Sequence, residues 1–344
     1  MSQLDNVTRG DSAEPQTADF RISAELGTTV VIKDGETIID TFTFDNDFDL
    51  TDGVTDGFGI RTIGFAANQT EHGITAEGPH PLTVETTDAA GNFTQSEQLL
   101  VEIDTTAPDA SSPALAVTSN TGTTADLVTS KMSPAFTGTA EANAKIRIFA
   151  DNGIDDPVLI GQGVVGSDDT DGVTGDGMGA WEVTVEPLAD GQYRITTEVE
   201  DLAGNISEPL ATSASLTITV DASAPQIPTI DLVNSDDSGM SDLDNVTYGD
   251  SVPASDGVDA VVDLTVTADA GSTYVIKDGN TVIYPIDYAT TGVPADFDTD
   301  DAADGTTDGQ ATVTLTLAEG AHALSMETTD TAGNVSAQSM ELLV

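Results

Sequence analysis

The sequence predicts an all-β protein made of three tandem two-sheet Greek-key sandwiches. A five-residue signature, Asp-x-Ala-Gly-Asn, recurs three times along the 344 residues. Every periodic apolar segment alternates with the period of a strand, and none sustains the 3.6-residue spacing of an amphipathic helix.

The copies of the signature are Asp88-Ala89-Ala90-Gly91-Asn92, Asp201-Leu202-Ala203-Gly204-Asn205 and Asp330-Thr331-Ala332-Gly333-Asn334, spaced by 113 and 129 residues. Such recurrence sets the size of the repeating unit before any finer reading. Each copy follows an alternating run, at residues 82–87, 193–200 and 324–329. After the first two come a short strand and a second signature, Asp104-Thr105-Thr106-Ala107-Pro108 and Asp221-Ala222-Ser223-Ala224-Pro225. The third copy stops at Val344, where that signature would begin. The expected repeats are therefore 1–104, 105–221 and 222–344. Ser2-Gln3-Leu4-Asp5-Asn6-Val7-Thr8 returns almost intact as Ser241-Asp242-Leu243-Asp244-Asn245-Val246-Thr247. The first repeat is accordingly expected to be truncated at its N-terminal side, and the chain to be an excerpt of a longer protein.

Within the repeats, Val31-Ile32-Lys33-Asp34-Gly35-Glu36-Thr37-Ile38-Ile39 matches Val275-Ile276-Lys277-Asp278-Gly279-Asn280-Thr281-Val282-Ile283, with a looser copy at 146–153. Two apolar runs around Asp-Gly or Asn-Gly signal a hairpin. Thr312-Val313-Thr314-Leu315-Thr316-Leu317 and Ser215-Leu216-Thr217-Ile218-Thr219-Val220 alternate strictly, and Thr and Val suit a half-buried pleated surface. About seven short strands per unit fit a sandwich. Each linker includes proline, which restricts bending and predicts an end-to-end arrangement.

Composition narrows the function. The formal net charge is −51, with 43 Asp and 17 Glu against nine basic residues. That surface repels nucleic acid, whose phosphates require Lys and Arg, and it attracts cations. The Asp excess beside Gly favours cation-binding loops over a general high-salt adaptation, although the two are compatible. No apolar stretch approaches the roughly 18 residues of a membrane-spanning helix, so no membrane insertion is expected. With no cysteine, thiolate metal sites and disulfide staples are absent, and a small secreted domain without disulfides needs another staple, such as a metal. No phosphate loop, dinucleotide fingerprint, zinc signature or catalytic triad pattern is present. No enzymatic activity is expected.

The carboxylates gather in three places. At the junctions, Asp201, Asn205 and Asp221 are expected to approach the acidic segment of the third repeat, which contains Asp236, Asp237, Asp242, Asp244 and Asn245. A divalent cation would convert their repulsion into a clamp. The competing reading of Asp-x-Ala-Gly-Asn is a tight turn with Gly at positive φ and Asn as its cap. That acidic segment is whole only in the third repeat. The first keeps Asp5 and Asn6, and the second has Asn120-Thr121-Gly122-Thr123-Thr124-Ala125-Asp126 with most acids gone. A metal site there should be weak or missing in the second repeat. The third place is a mid-domain Asp-Gly loop at 45–57, 168–177 and 298–309. Its first copy fails the EF-hand pattern, because Leu50 stands where Gly is required and Asp56 where Glu is. A different calcium loop and a solvated acidic hairpin both remain open.

In Leu188-Ala189-Asp190-Gly191-Gln192-Tyr193 a tyrosine enters the strand that leads to Asp201. It resembles the tyrosine corner of immunoglobulin-like folds. His80 and His322 fill the same slot in the other repeats and are expected to be structural. The fold class is thus three tandem immunoglobulin-like Greek-key β-sandwiches arranged end to end. The paired signatures, recurring in phase over essentially the whole chain, resemble the bacterial immunoglobulin-like tandem domains of giant type I-secreted (repeats-in-toxin) adhesins. The resemblance implies Ca2+-rigidified extender repeats at the bacterial cell surface, monomeric, whose partners are their own neighbouring repeats. It also implies ligand roles for Asp88, Asn92, Asp104, Asp201, Asn205, Asp221, Asp330 and Asn334. The alternative is a sugar- or surface-binding adhesive domain, for which Trp181, Tyr284 and Tyr288 are the candidate contacts. Trp181 is read as core.

Overall fold

Alternation in the sequence becomes alternation in burial. Along the strand Lys145–Asp151 the odd-numbered side chains face outward and Ile146, Ile148 and Ala150 face inward, as the pleat requires. The computed structural model describes residues 7–8, 17–45, 58–65, 73–74, 77–109, 111–122, 126–167, 170, 172–173, 175–207, 215–234, 236–237, 247, 260–269, 271–284, 295–296 and 310–344. Among them every regular element is a β-strand.

The strands form six sheets, two per sequence repeat. In the middle repeat one sheet has three strands, in the order Ala114–Leu115, Ala135–Glu141, Met178–Thr184. The other has five, in the order Val128–Thr129, Leu216–Val220, Gly191–Glu200, Lys145–Asp151, Val158–Val164. Val128–Thr129 runs parallel to the last strand, while its neighbours pair antiparallel. The first repeat has the same plan, with Val7–Thr8 parallel to Leu99–Ile103. The third repeat pairs Thr229–Leu232, Ala260–Thr267 and Gln310–Leu317 in one sheet, with Thr273–Asp278 and Ala323–Thr329 at the heart of the other. This is the Greek-key sandwich that the strand count predicts.

Between each pair of sheets lies a separate core. Val30, Ile32 and Phe44 anchor the first, Phe136, Ile146, Ile148 and Ile195 the second, and Leu264, Ile276, Leu324 and Met326 the third. Trp181, the chain's single tryptophan, is buried in the middle core, as its reading from sequence expects. It stands opposite Gly138 on the neighbouring strand. A Cβ at 138 would lie 2.5 Å from the indole ring, so only glycine leaves room for it.

The corner before the long central strand is built alike in two repeats from different residues. The Tyr193 hydroxyl donates to the Ala189 carbonyl at 3.1 Å. His322 reaches the Ala318 carbonyl through Nε2 at 2.8 Å, the same four-residue step, while its Nδ1 meets Asp278 at 2.8 Å. His80 uses Nδ1 on Asp34 at 2.7 Å. Both histidines are structural. Pairing with the Asp278 carboxylate first, and the Ala318 carbonyl second, holds the His322 imidazole above its ordinary range.

Two outcomes follow. Gly138→Ala should destabilise the middle repeat by about 1–3 kcal/mol through overpacking, measured as an earlier loss of Trp181 fluorescence on denaturation. His322 should titrate above 6.5 by NMR and fall back towards it in Asp278→Asn. Because its pKa is raised on folding, its stabilising contribution is complete below pH 6.5 and is lost as pH rises through the raised value.

Candidate metal centre

The Asp-x-Ala-Gly-Asn turn has one geometry in all three repeats. The aspartate carboxylate folds over its own turn. Asp201 Oδ1 accepts the Asn205 backbone N–H at 2.8 Å, and Oδ2 accepts the Asn205 side-chain amide at 2.8 Å. Asp88 and Asn92 make the same pair of bonds, as do Asp330 and Asn334. Gly91, Gly204 and Gly333 sit at φ of +87°, +89° and +87°, a conformation glycine adopts without a Cβ penalty. The local structure is therefore the capped tight turn.

The same turn also joins repeats. The Asn205 side-chain amide spends its second hydrogen on the backbone carbonyl of Asp104, 101 residues earlier, at 3.0 Å. Asn334 does likewise to Asp221, at 2.8 Å. The second and third turns thus grip the last residue of the preceding repeat. This differs from the expectation that Asp201, Asn205 and Asp221 converge on the third repeat's acidic segment. Asp201 and Asn205 meet Asp104 at one junction, and Asp221 meets Asn334 at the next. The cause is topological: the turn follows the long central strand, which exits at the pole facing the preceding repeat.

At the first junction the grip assembles a carboxylate cluster. Oxygens of Asp104, Glu141 and Asp201 all lie within 4.8 Å of one another. Asp104 is placed by the end of the strand Leu99–Ile103 and takes the Thr106 N–H on Oδ1 at 3.0 Å. Glu141 ends the strand Ala135–Glu141, and its N–H is donated to the Asp109 carbonyl across the linker at 3.3 Å. Asp201 is buried, while the other two are half-buried. Burial pushes the Glu141 carboxyl up first, and the charges of Asp201, Asp104 and Asp109 add to it. At this spacing each like-charge pair repels by on the order of 3 kcal/mol for an effective dielectric near 20. A donor set made only of oxygens, negatively charged and partly withdrawn from water, suits a hard divalent cation such as Ca2+.

The second junction carries the corresponding Asp221, Asp269 and Asp330 without that convergence among the described residues. Asp269 is one methylene shorter than Glu141 and is engaged by the Gln226 N–H at 2.9 Å. In the first repeat, Asp88 and Asn92 form the turn, and Asp88 is held below the usual carboxylate range by its bonds to Asn92.

Asp236 has a structural role. Its carboxylate accepts the Asp263 N–H at 2.7 Å, as Ser119 Oγ accepts the Ala135 N–H at 2.9 Å in the middle repeat. Asp237 is buried beside it. Asp5, Asn6, Asp242, Asp244 and Asn245 lie outside the described residues, as does most of the mid-domain Asp-Gly loops. Within those loops, Asp176 caps the Met178 N–H at 3.0 Å. Among the aromatic candidates for an adhesive surface, Tyr284 stacks on Tyr274 with ring centres 5.7 Å apart and packs against the third core. Tyr288 is outside the described residues.

Residues 106–222 match the family of bacterial Ig-like domains. No curated protein sequence matches the chain. Similar solved structures include a Ca2+-stabilised adhesin with which an Antarctic bacterium binds ice. It shows 18% identity and a TM-score of 0.36, covering 99% of this chain and 70% of that one. A 1.5-MDa bacterial ice-binding adhesin shows 14% identity and a TM-score of 0.32, covering 97% and 91%. The fibronectin(III)-like modules of Clostridium thermocellum CbhA show 13% identity and a TM-score of 0.30, covering 62% and 88%.

Asp104 and Asp201 are among the ligand candidates expected from the sequence, and Glu141, the third member of the cluster, is not. The signal was present, because Glu25, Glu141 and Asp269 each follow an alanine at the same step before the hairpin strand.

The cluster makes a direct expectation. Glu141→Gln should raise the melting temperature in EDTA and shrink the gain produced by calcium. In the metal-free wild type, Glu141 favours the folded state when protonated. That share of stability should be lost as pH rises from about 4.5 through the raised pKa. Melts between pH 4 and 7 check this, and the component should be absent from Glu141→Gln.

Proposed function

We propose that this chain is a spacer segment of a bacterial cell-surface protein, in which Ca2+ rigidifies the joint between the first and second repeats and thereby helps to extend a distal binding region. The observation that carries this reading is the Asp104–Glu141–Asp201 cluster, because its members come from both sides of one linker. A cation bound there would tie the end of one repeat to the start of the next. It would also remove a repulsion that otherwise favours opening the joint. Ligand bound only by the folded, docked state stabilises that state by mass action.

Three further features support a spacer. The bacterial Ig-like match covers the middle repeat. The fold repeats in tandem with short linkers, which Glu77 and Asp190 cap from the preceding loop through bonds to Thr105, Ala222 and Ser223. Trp181 is buried in the middle core and Tyr284 packs against the third, so both are engaged within their own repeats.

The test is a thermal melt of the 344-residue chain in EDTA, in millimolar CaCl2 and in matched MgCl2. A calcium-specific rise that is lost in Asp104→Asn but largely kept in Asp221→Asn supports the reading. Equal effects of magnesium, or of salt alone, would reduce it to screening of a −51 surface.

A further inference from the structure

The second junction is closed by a different device. Thr121 and Gly122, in the middle repeat's counterpart of the acidic segment, lie directly on the Asp330–Asn334 turn of the third repeat. Thr121 Oγ1 donates to the Ala332 carbonyl at 2.6 Å, across 211 residues of sequence. The same oxygen accepts the Ser130 N–H at 2.7 Å and the Ser130 hydroxyl at 2.9 Å. A hydroxyl has one hydrogen to give and two lone pairs to fill. Thr121 fills both lone pairs within its own repeat and sends its single hydrogen across the joint.

Beside this bond the two backbones cross in contact, with glycine at each crossing point. A Cβ on Gly122 would lie 2.5 Å from the Thr331 carbonyl oxygen, and a Cβ on Gly333 would lie 2.5 Å from that of Thr121. No side chain fits at either place, so the approach is as close as two backbones permit. Ala332, the alanine of this signature, is 0% exposed beneath the contact.

We propose that residues 121–122 form a latch that binds the Asp-x-Ala-Gly-Asn turn of the following repeat and fixes the second junction by direct contact, without a metal ion. The inference goes beyond the calcium role of the first junction and stands whether or not that role holds. It also gives the acid-poor 120–126 segment a purpose. Ser119 and Asn120 stand where the third repeat has Asp236 and Asp237, so the two residues that precede Thr121 and Gly122 carry no charge.

The test uses the full chain in EDTA. Because the sequence has no cysteine, Glu182→Cys and Thr316→Cys give a single spin-label pair across the junction, both positions being exposed on outer strand faces. Electron–electron distance measurements should give a narrow distribution in the parent, also narrow in Thr121→Ser, and a broadened one in Thr121→Val and Gly122→Val. Trp181 emission reports whether the middle repeat stays folded. If Gly122→Val unfolds it, the Thr121→Val and Thr121→Ser pair decides. A parent distribution in EDTA already as broad as that of the variants would overturn the latch. So would narrow distributions in both valine variants.

Discussion

Each joint depends on one side-chain amide. The asparagine that closes the Asp-x-Ala-Gly-Asn turn has two amide hydrogens, one spent on its own aspartate and the other on the last residue of the preceding repeat. The bond to aspartate fixes the rotamer, so the second hydrogen is aimed before the neighbour arrives. Such preorganisation lowers the entropy that docking would otherwise cost. The bond also sets where the preceding aspartate's own carboxylate falls. At the first junction it falls beside Glu141 and Asp201. The turn and the carboxylate cluster are therefore successive consequences of one geometry.

The distribution of charge follows the same logic. The few basic residues are largely committed to carboxylates on the sheet faces: Lys33 to Glu85, Arg147 to Glu198 and Glu200, and Lys277 to Glu327. The charges acting on Glu141, by contrast, are all carboxylates. A side-chain ammonium or guanidinium at that point would neutralise the cluster permanently. None acts on Glu141 among the described residues, so under the proposed function the neutralising charge is left to a soluble ion.

Much of this was legible in the sequence where one residue type has one physical use. Alternating Thr and Val runs can only be strands, and the glycine of the signature must sit at positive φ. A tyrosine four residues after Ala189 predicts its corner bond, and the equivalence of His322 follows because imidazole can reach the same carbonyl. What sequence could not supply was the pole at which each element ends. Asp201 and Asp221 are close in the chain's logic but belong to different junctions, since the strand Gly191–Glu200 and the strand Leu216–Val220 run antiparallel and deliver their ends to opposite poles. Glu141 escaped for a related reason: it is an ordinary strand-end acid until the fold brings Asp104 beside it. Asp236 carries a second use that the sequence did not show: its carboxylate caps a strand N–H as Ser119 does in the repeat before.

The comparison of the two joints separates what the scaffold dictates from what the loop decides. Both have the same turn, the same asparagine stitch and the same preceding aspartate. Among the described residues they diverge at one side chain: Glu141 becomes the shorter Asp269, which turns aside to the Gln226 N–H, and the carboxylates do not converge there. The second joint also carries the Thr121-Gly122 contact over Ala332. Under the proposed function, the ion dependence of a joint would then rest on a single side chain beside the turn, while the repeat signatures and every core stay the same.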